Sequence, residues 1–548
     1  MDSKIHPQRA LEISARLCYN VPMNGEHIFL SYQFAAFIAG TFILYYIVPK
    51  RLQQWLLLLA SLGFYFCAGW TYPIYIITTA TAVYMAGYYM GSQDEIYDRM
   101  SKRASKEQQR MLKKEFTSKK KTVMLLCLIF NLGILAVTKY SAFFITNINS
   151  FLSDKNEISV PDLIVPLGIS FYTLQAIGYL LDVYWGRCKV QKNYPKLLLF
   201  VTFFPQLILG PISRYSDLSK TLYRKHYFDR IMVGQGLQRI LWGCFKIMVV
   251  ADRLSPAVTE LISGADNYTG GYVFILMIFW AIVLYADFTG SIDIAIGIAL
   301  IFGIRVEENF ARPYFSKSVF EYWQRWHITM SKWFRDYVFY PFGTSRTLRK
   351  LTIVSKKRFG MKFAKRVSVY TSTIVCWIAI GIWCGAGWRF VLWGLANGII
   401  ILISAELEPV YEGFRKNHPA LITSLGYKLF RIGRTFLLMC AIRMIYVYDS
   451  AKLSFKQFFR MFTDVFACPV EGEKLLGMGV SATDYIVVAF GVFLMVIISL
   501  CGRKQRVSRR LMRTPYVVRY MLLLLLFLTT VMLGKYGLAV DPTRFVCE

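Results

Sequence analysis

The chain has five histidines, and four of them (His6, His27, His226, His418) fall in polar tails or loops where a solvated role is the default. His327 differs. It lies in FEYWQRWHITMSKWFRDYVFYPFG (320–343), where helical spacing puts Trp323, Trp326, His327, Met330 and Phe334 on one face and Glu321, Arg325, Lys332 and Asp336 on the other. Geometry alone reads this as an amphipathic helix with a buried, hydrogen-bonded histidine. The chemical alternative is a general base or donor in a dry pocket, because imidazole titrates near pH ~6.5 and burial keeps it neutral. A second stretch, YADFTGSIDIAIGIAL (285–300), places Asp287 and Asp293 inside an apolar run. Carboxylates at membrane depth are costly and face a bundle interior or a cavity. Anchoring a neighbouring helix is the favoured role for both, with ion or proton transport as the sharper alternative. A third, GIWCGAGWRF (381–390), surrounds one thiol, Cys384, with glycines and tryptophans at the turn between two apolar runs. Trp383, Trp388 and Trp393 flank that thiol, and an interfacial aromatic belt explains them without chemistry.

The elements that must position these groups are membrane spans. Of 548 residues 55% are hydrophobic and only 18% charged, which excludes an ordinary soluble chain of this length. Apolar runs recur near 28–48, 54–70, 72–91, 122–148, 162–184, 232–250, 271–301, 367–383, 388–405, 429–447, 482–501 and 518–537. They predict an all-α polytopic membrane protein with about 11–13 spanning helices. The formal net charge of +31 suggests nucleic acid, but the cations concentrate in loops between the runs, at 101–121, 346–366 and 502–513. That is the positive-inside pattern. Placing 101–121 inside puts 302–366 inside, and 150–161, 254–270, the Cys384 turn and both termini outside. No cleavable secretory signal precedes the first run. The expected organisation is a polar tail (1–27), a single membrane domain (28–537) and a C-terminal tail (538–548). FFPQLILGPISR (203–214), broken by Pro205, Gly210 and Pro211, reads as either a re-entrant piece or an interfacial loop. Eleven scattered cysteines form no CxxC pair, so neither a zinc site nor a disulfide framework is indicated, although Cys468 and Cys547 share the outer side of this path. The absence of an internal repeat counts against a repeat-built transporter.

The stretch ENFARPYFSKSVFEYWQRWHITMSKWFRDYVFYPFG resembles the signature of the membrane-bound O-acyltransferases, in particular the branch of the alginate O-acetyltransferase membrane subunit. VPLGISFYTLQAIGYLLDVYWG (165–186), FFPQLILGPISRYSDL (203–218) and YADFTGSIDIAIGIALIFGI (285–304) agree with it in order, and the likeness covers roughly residues 28–450. The resemblance implies a ring of helices around a thin centre, with a cytoplasmic funnel for an acyl-thioester donor such as acetyl-CoA and an outer funnel for an acceptor hydroxyl. It implies no bound cofactor and no metal. It also implies a polysaccharide acceptor and a separate extracytoplasmic partner protein. Of the family's two histidines, one maps onto His327. The other belongs to a GxWHG motif that reads GIWCG here, so its position is held by Cys384. Asn309, Arg335 and Asp336 match the signature and are expected to position the His327 helix and shape the donor tunnel, with Trp323, Trp326 and Trp383 lining it. A thiol is a poor neutral base. Cys384 is therefore a nucleophile forming a thioester, a relic in a scaffold or pseudo-enzyme, or a residue altered by design to disable the protein.

Overall fold

The computed structural model describes residues 30–152, 157–161, 163–207, 209–464, 466–502, 510–511 and 513–535. The polar N-terminal tail, the C-terminal tail and Cys547 lie outside the described residues. Within them the chain is helical, with no strand. Six helices are long and apolar enough to cross a membrane: Lys106–Asn149, Gly271–Ile301, Arg346–Cys384, Trp388–Glu406, Ala482–Cys501 and Tyr516–Leu533. Tyr32–Ile47 and Gln53–Ala68 are shorter apolar helices. The remaining expected spans are of other kinds. Ile169–Tyr184 has 16 residues, about 24 Å of helix, and is buried from Ile169 to Val183. Leu425–Val447 carries Lys428, Arg431, Arg434 and Arg443.

Two basic runs expected as loops are helical instead. The run after Lys102 begins at a capping box, with Ser105 accepting from Gln108 N–H and Gln108 reaching back to Ser105 N–H, and it continues unbroken into the apolar span as one 44-residue helix. Its Lys, Glu, Gln and Leu content favours helix over loop. The run 346–366 likewise leads into Arg346–Cys384, interrupted only at Gly360, whose φ of +84° suits a residue without Cβ.

The chain packs as two compact units. The first comprises Tyr32–Val233 and Ile298–Val306. In it, the FFPQ stretch forms one short helical turn, Phe204–Leu207, and residues 209–214 are non-helical. Pro205, Gln206, Leu209, Ile212 and Ser213 are buried. Gln206 Nε2 donates to the Pro211 carbonyl (3.1 Å) and to Ser213 Oγ (2.5 Å), supplying the partners that irregular backbone needs away from water. His226, expected as a solvated loop residue, is half-buried, with Nε2 2.8 Å from the Thr221 carbonyl oxygen.

The second unit comprises Gly234–Gly297 and the described residues from Glu307 onward. Glycines let its helices approach backbone to backbone. A Cβ at Gly243 would lie 2.6 Å from the Gly290 carbonyl oxygen, and one at Gly297 2.7 Å from that of Gly236. This close approach of small residues is characteristic of packing in lipid, where the hydrophobic effect does not drive helices together.

Candidate functional site

The single amphipathic helix expected over 320–343 is broken at the histidine itself. Val319–Arg325 and Ile328–Phe334 are separate helices, followed by a π-helical turn, Arg335–Phe339. His327 adopts φ 45°, ψ 56°, the left-handed region, which is unusual for a residue with a side chain. The cause is Asn309, on the extended segment before the first of these helices. Its carbonyl oxygen accepts Ile328 N–H (2.9 Å) and its side-chain Oδ1 accepts Thr329 N–H (3.1 Å), so an outside residue caps the second helix. Ala311 N–H donates to the Arg325 carbonyl (2.9 Å) and ties the same segment to the end of the first helix.

Asn309 also settles the protonation of His327. Oδ1 lies 3.2 Å from His327 Nδ1 and accepts the Thr329 hydroxyl at 2.9 Å. The backbone N–H of Thr329 can only donate, so the side-chain atom facing it is an oxygen. The imidazole nitrogen facing the same oxygen must then carry hydrogen. Nδ1 is the protonated nitrogen and Nε2 keeps its lone pair. Among the described residues nothing bonds to Nε2, although His327 is buried. Phe288 (centroids 5.2 Å apart), Trp383 (5.9 Å) and Phe310 (6.4 Å) surround the ring. Burial among them pushes its pKa down to about 3. A neutral imidazole with an open, buried lone pair can take a proton from a hydroxyl.

The other expected site residues divide. Trp383, the last residue before Cys384, packs on His327 and is only 4% exposed, so it is no interfacial belt residue. Trp388, 59% exposed, does suit a belt. Cys384 is buried at the C-terminal end of Arg346–Cys384. Trp323 turns away from the expected shared face into a cluster with Trp377 (4.6 Å) and Trp393 (5.9 Å). Trp326 stacks near Tyr322 (5.7 Å) and Tyr314 (6.0 Å), under the Arg443 guanidinium 4.0 Å from its ring. Arg335 and Asp336 pair with each other at 2.9 Å, with the Arg335 side chain about half exposed.

Three groups beside the site were not read from the sequence. Arg443 is buried and donates to the hydroxyls of Tyr314 (2.7 Å) and Tyr322. A lone cation in the apolar run FLLMCAIRMIYV carried the same signal as Asp287 and Asp293. Thr329 completes the Asn309 contacts. Glu308 belongs to a cluster of charges with Asp293, which is paired with Arg239 (2.7 Å) and Lys246 (2.6 Å). That pairing matches the helix-anchoring role expected for Asp293.

Six helices long and apolar enough to cross a membrane, in a chain that is helical throughout its described residues, define a polytopic membrane protein. Residues 189–355, which include Asn309 and His327, match the model of the membrane-bound O-acyltransferase family (MBOAT). The chain is 30% identical over 396 residues to a protein of Azotobacter vinelandii named "Probable alginate O-acetylase AlgI", covering 71% of each chain. It is 32% identical over 332 residues to the peptidoglycan O-acetyltransferase of Helicobacter pylori, covering 56% of this chain and 59% of that one. It is 28% identical over 311 residues to the teichoic acid D-alanyltransferase of Bacillus subtilis, covering 54% and 72% respectively. The chain belongs to the membrane-bound O-acyltransferase family, and its class of activity is O-acyl transfer.

Proposed function

We propose that the chain transfers an acetyl group from a cytoplasmic thioester such as acetyl-CoA to hydroxyls of an extracytoplasmic polysaccharide. The single observation that carries this reading is the open Nε2 of a buried His327 whose Nδ1–H is held by Asn309. Nε2 takes the proton of the acceptor hydroxyl as its oxygen attacks the thioester carbonyl. The C–S bond breaks, and the leaving thiolate recovers that proton from the imidazolium. Cys384, one residue from the Trp383 ring against His327, stands on the acceptor side of the same site. Arg335 and Asp336 shape the donor approach, with Trp326 and Trp323 behind it. Relatives named for alginate and peptidoglycan acetylation support a polymer acceptor. The reading places both termini and the Cys384 turn outside and includes an extracytoplasmic partner protein that presents the polymer.

The test is alkali-labile surface ester in cells carrying the native chain, His327→Ala, Cys384→Ala and Cys384→His. Loss of ester with His327→Ala is expected; unchanged ester overturns the reading. Loss with Cys384→Ala as well means that the thiol participates in catalysis. If native cells lack ester and Cys384→His restores it, the native chain is a disabled transferase serving as a scaffold.

A further inference from the structure

The second unit gathers four charges, one buried (Lys246) and three partly buried (Arg239, Asp293 and Glu308). Arg239 grips Glu308 with both terminal nitrogens (2.6 and 2.5 Å) while its Nε donates to Asp293 Oδ1 (2.8 Å). Lys246 donates to the other Asp293 oxygen (2.6 Å) and to Thr289 Oγ1 (2.8 Å). Lys246 is 4% exposed and none of the four side chains exceeds 27%. Two cations face two carboxylates, so the cluster is neutral. Three members, Arg239, Lys246 and Asp293, bridge the Arg230–Ala251 and Gly271–Ile301 helical segments, which glycines already bring together. The fourth does not. Glu308 lies on the extended segment, one residue before Asn309. The neighbouring Glu307 binds Lys332 at 2.8 Å, on the helix that follows His327. The Asn309 segment is thus pinned from both sides by ion pairs.

Holding two helices together does not require four clustered charges, since a well-packed apolar contact serves as well or better. What charge supplies is a defined direction, and the Arg239 fork fixes Glu308 through two parallel hydrogen bonds. From these contacts we infer that Arg239, backed by Asp293 and Lys246, is a positioning residue for the acyl transfer. It fixes Glu308, hence Asn309 Oδ1, hence the tautomer and tilt of His327. This inference rests on the reading of His327 as the base.

The experiment uses membranes containing the full chain and its native acceptor, given radiolabelled acetyl-CoA, with label released from polymer by mild base as the readout. Arg239→Gln is expected to lower kcat about 10²-fold, the scale of a 1 Å misplacement. The apparent KM for acetyl-CoA should stay within about threefold, because the donor is not touched. In an Asn309→Ala background the same substitution should change kcat by less than about threefold, because Arg239 acts through Asn309. Additive losses overturn the inference, as does an Arg239→Gln enzyme with native kcat. If Arg239→Gln does not accumulate as folded protein, Glu308→Gln is measured instead. It is expected to lose about tenfold with the same lack of additivity, and additivity there overturns the inference equally. His327→Ala separates the two levels. If it retains activity, the reading of the site falls. If it is inactive while Arg239→Gln and Glu308→Gln are native or additive, only the positioning role falls.

Discussion

Asn309→Ala is the perturbation that the geometry weighs best. Oδ1 accepts three hydrogen bonds, from Thr329 N–H, the Thr329 hydroxyl and His327 Nδ1. The hydroxyl can rotate to another acceptor, but the two N–H groups are buried and each loses this one. Each orphaned donor costs about 1–3 kcal/mol. With water entering the space of the lost amide, the stability loss should come to about 2–4 kcal/mol. The left-handed turn at His327 loses its cap and the imidazole is free to flip or change tautomer. Transfer should then fall about 10²-fold, or about 2.7 kcal/mol of barrier. Asn309→Asp separates the cap from the chemistry. A carboxylate oxygen accepts the same bonds but places negative charge on Nδ1–H, which raises the histidine pKa from its depressed value. The base is then protonated as pH falls, so a histidine limb absent from the native pH–rate profile should enter the range of about pH 5–8. The assay is labelled acetyl transfer in membranes across that range, with thermal melting in detergent beside it. A folded Asn309→Ala enzyme with native kcat, or a flat profile for Asn309→Asp, refutes the reasoning.

Three further perturbations have defined outcomes. His327 stays neutral when folded but takes up a proton when unfolded between pH about 3 and about 6.5. The unfolded state then binds more protons, so stability should fall as pH drops through that window, by up to about 1.4 kcal/mol per unit, and His327→Gln should flatten the pH dependence of melting. Gly381→Ala would put a Cβ 2.4 Å from the Phe390 carbonyl oxygen and force the helices on either side of the Cys384 turn apart, costing about 1–3 kcal/mol by melting. Gly413→Ala, with open space around it, should cost nothing and serves as the control. Arg443→Gln removes the cation from Trp326 and weakens the bonds to Tyr314 and Tyr322. It should lower the melting temperature, while Arg443→Lys recovers only part of the loss because one ammonium cannot reproduce the fork.

The spans were legible because each apolar run is a local property: 271–301 and 482–501 coincide with the observed helices to the residue. The buried histidine was legible as an oddity of type, the one imidazole among apolar and aromatic neighbours. Its conformation was not. Helical periodicity reads straight through His327 because no residue between Phe320 and Tyr340 is a strong breaker, and the interruption comes from Asn309, 18 residues earlier. A cap supplied from outside a helix leaves no local signature. For the same reason Trp323 and Trp326, three apart and nominally on one face, end in different surroundings. The basic runs at 101–121 and 346–366 read as loops from their charge, but charge does not set conformation, and both are helical. Lysine and arginine say which side a segment faces, while their helix propensity is high on either side.

Asp293 shows how the same signal leads to different conclusions once its neighbours are known. A carboxylate inside an apolar run is compatible with carrying an ion and with holding a helix. A carrier site needs a charge whose partner comes and goes. Both oxygens of Asp293 are instead taken by resident cations, Arg239 on one and Lys246 on the other, and Arg239 is shared with Glu308. Removing one member of so closed a cluster leaves a partly buried charge uncompensated, at a cost that approaches that of a fully buried pair, about 3–5 kcal/mol. A transported ion that displaced Lys246 or Arg239 would have to meet that cost on each cycle. The route by which Asp293 can affect function therefore runs through Glu308 to the segment that caps His327, and its expected phenotype is slower acyl transfer rather than altered solute flux.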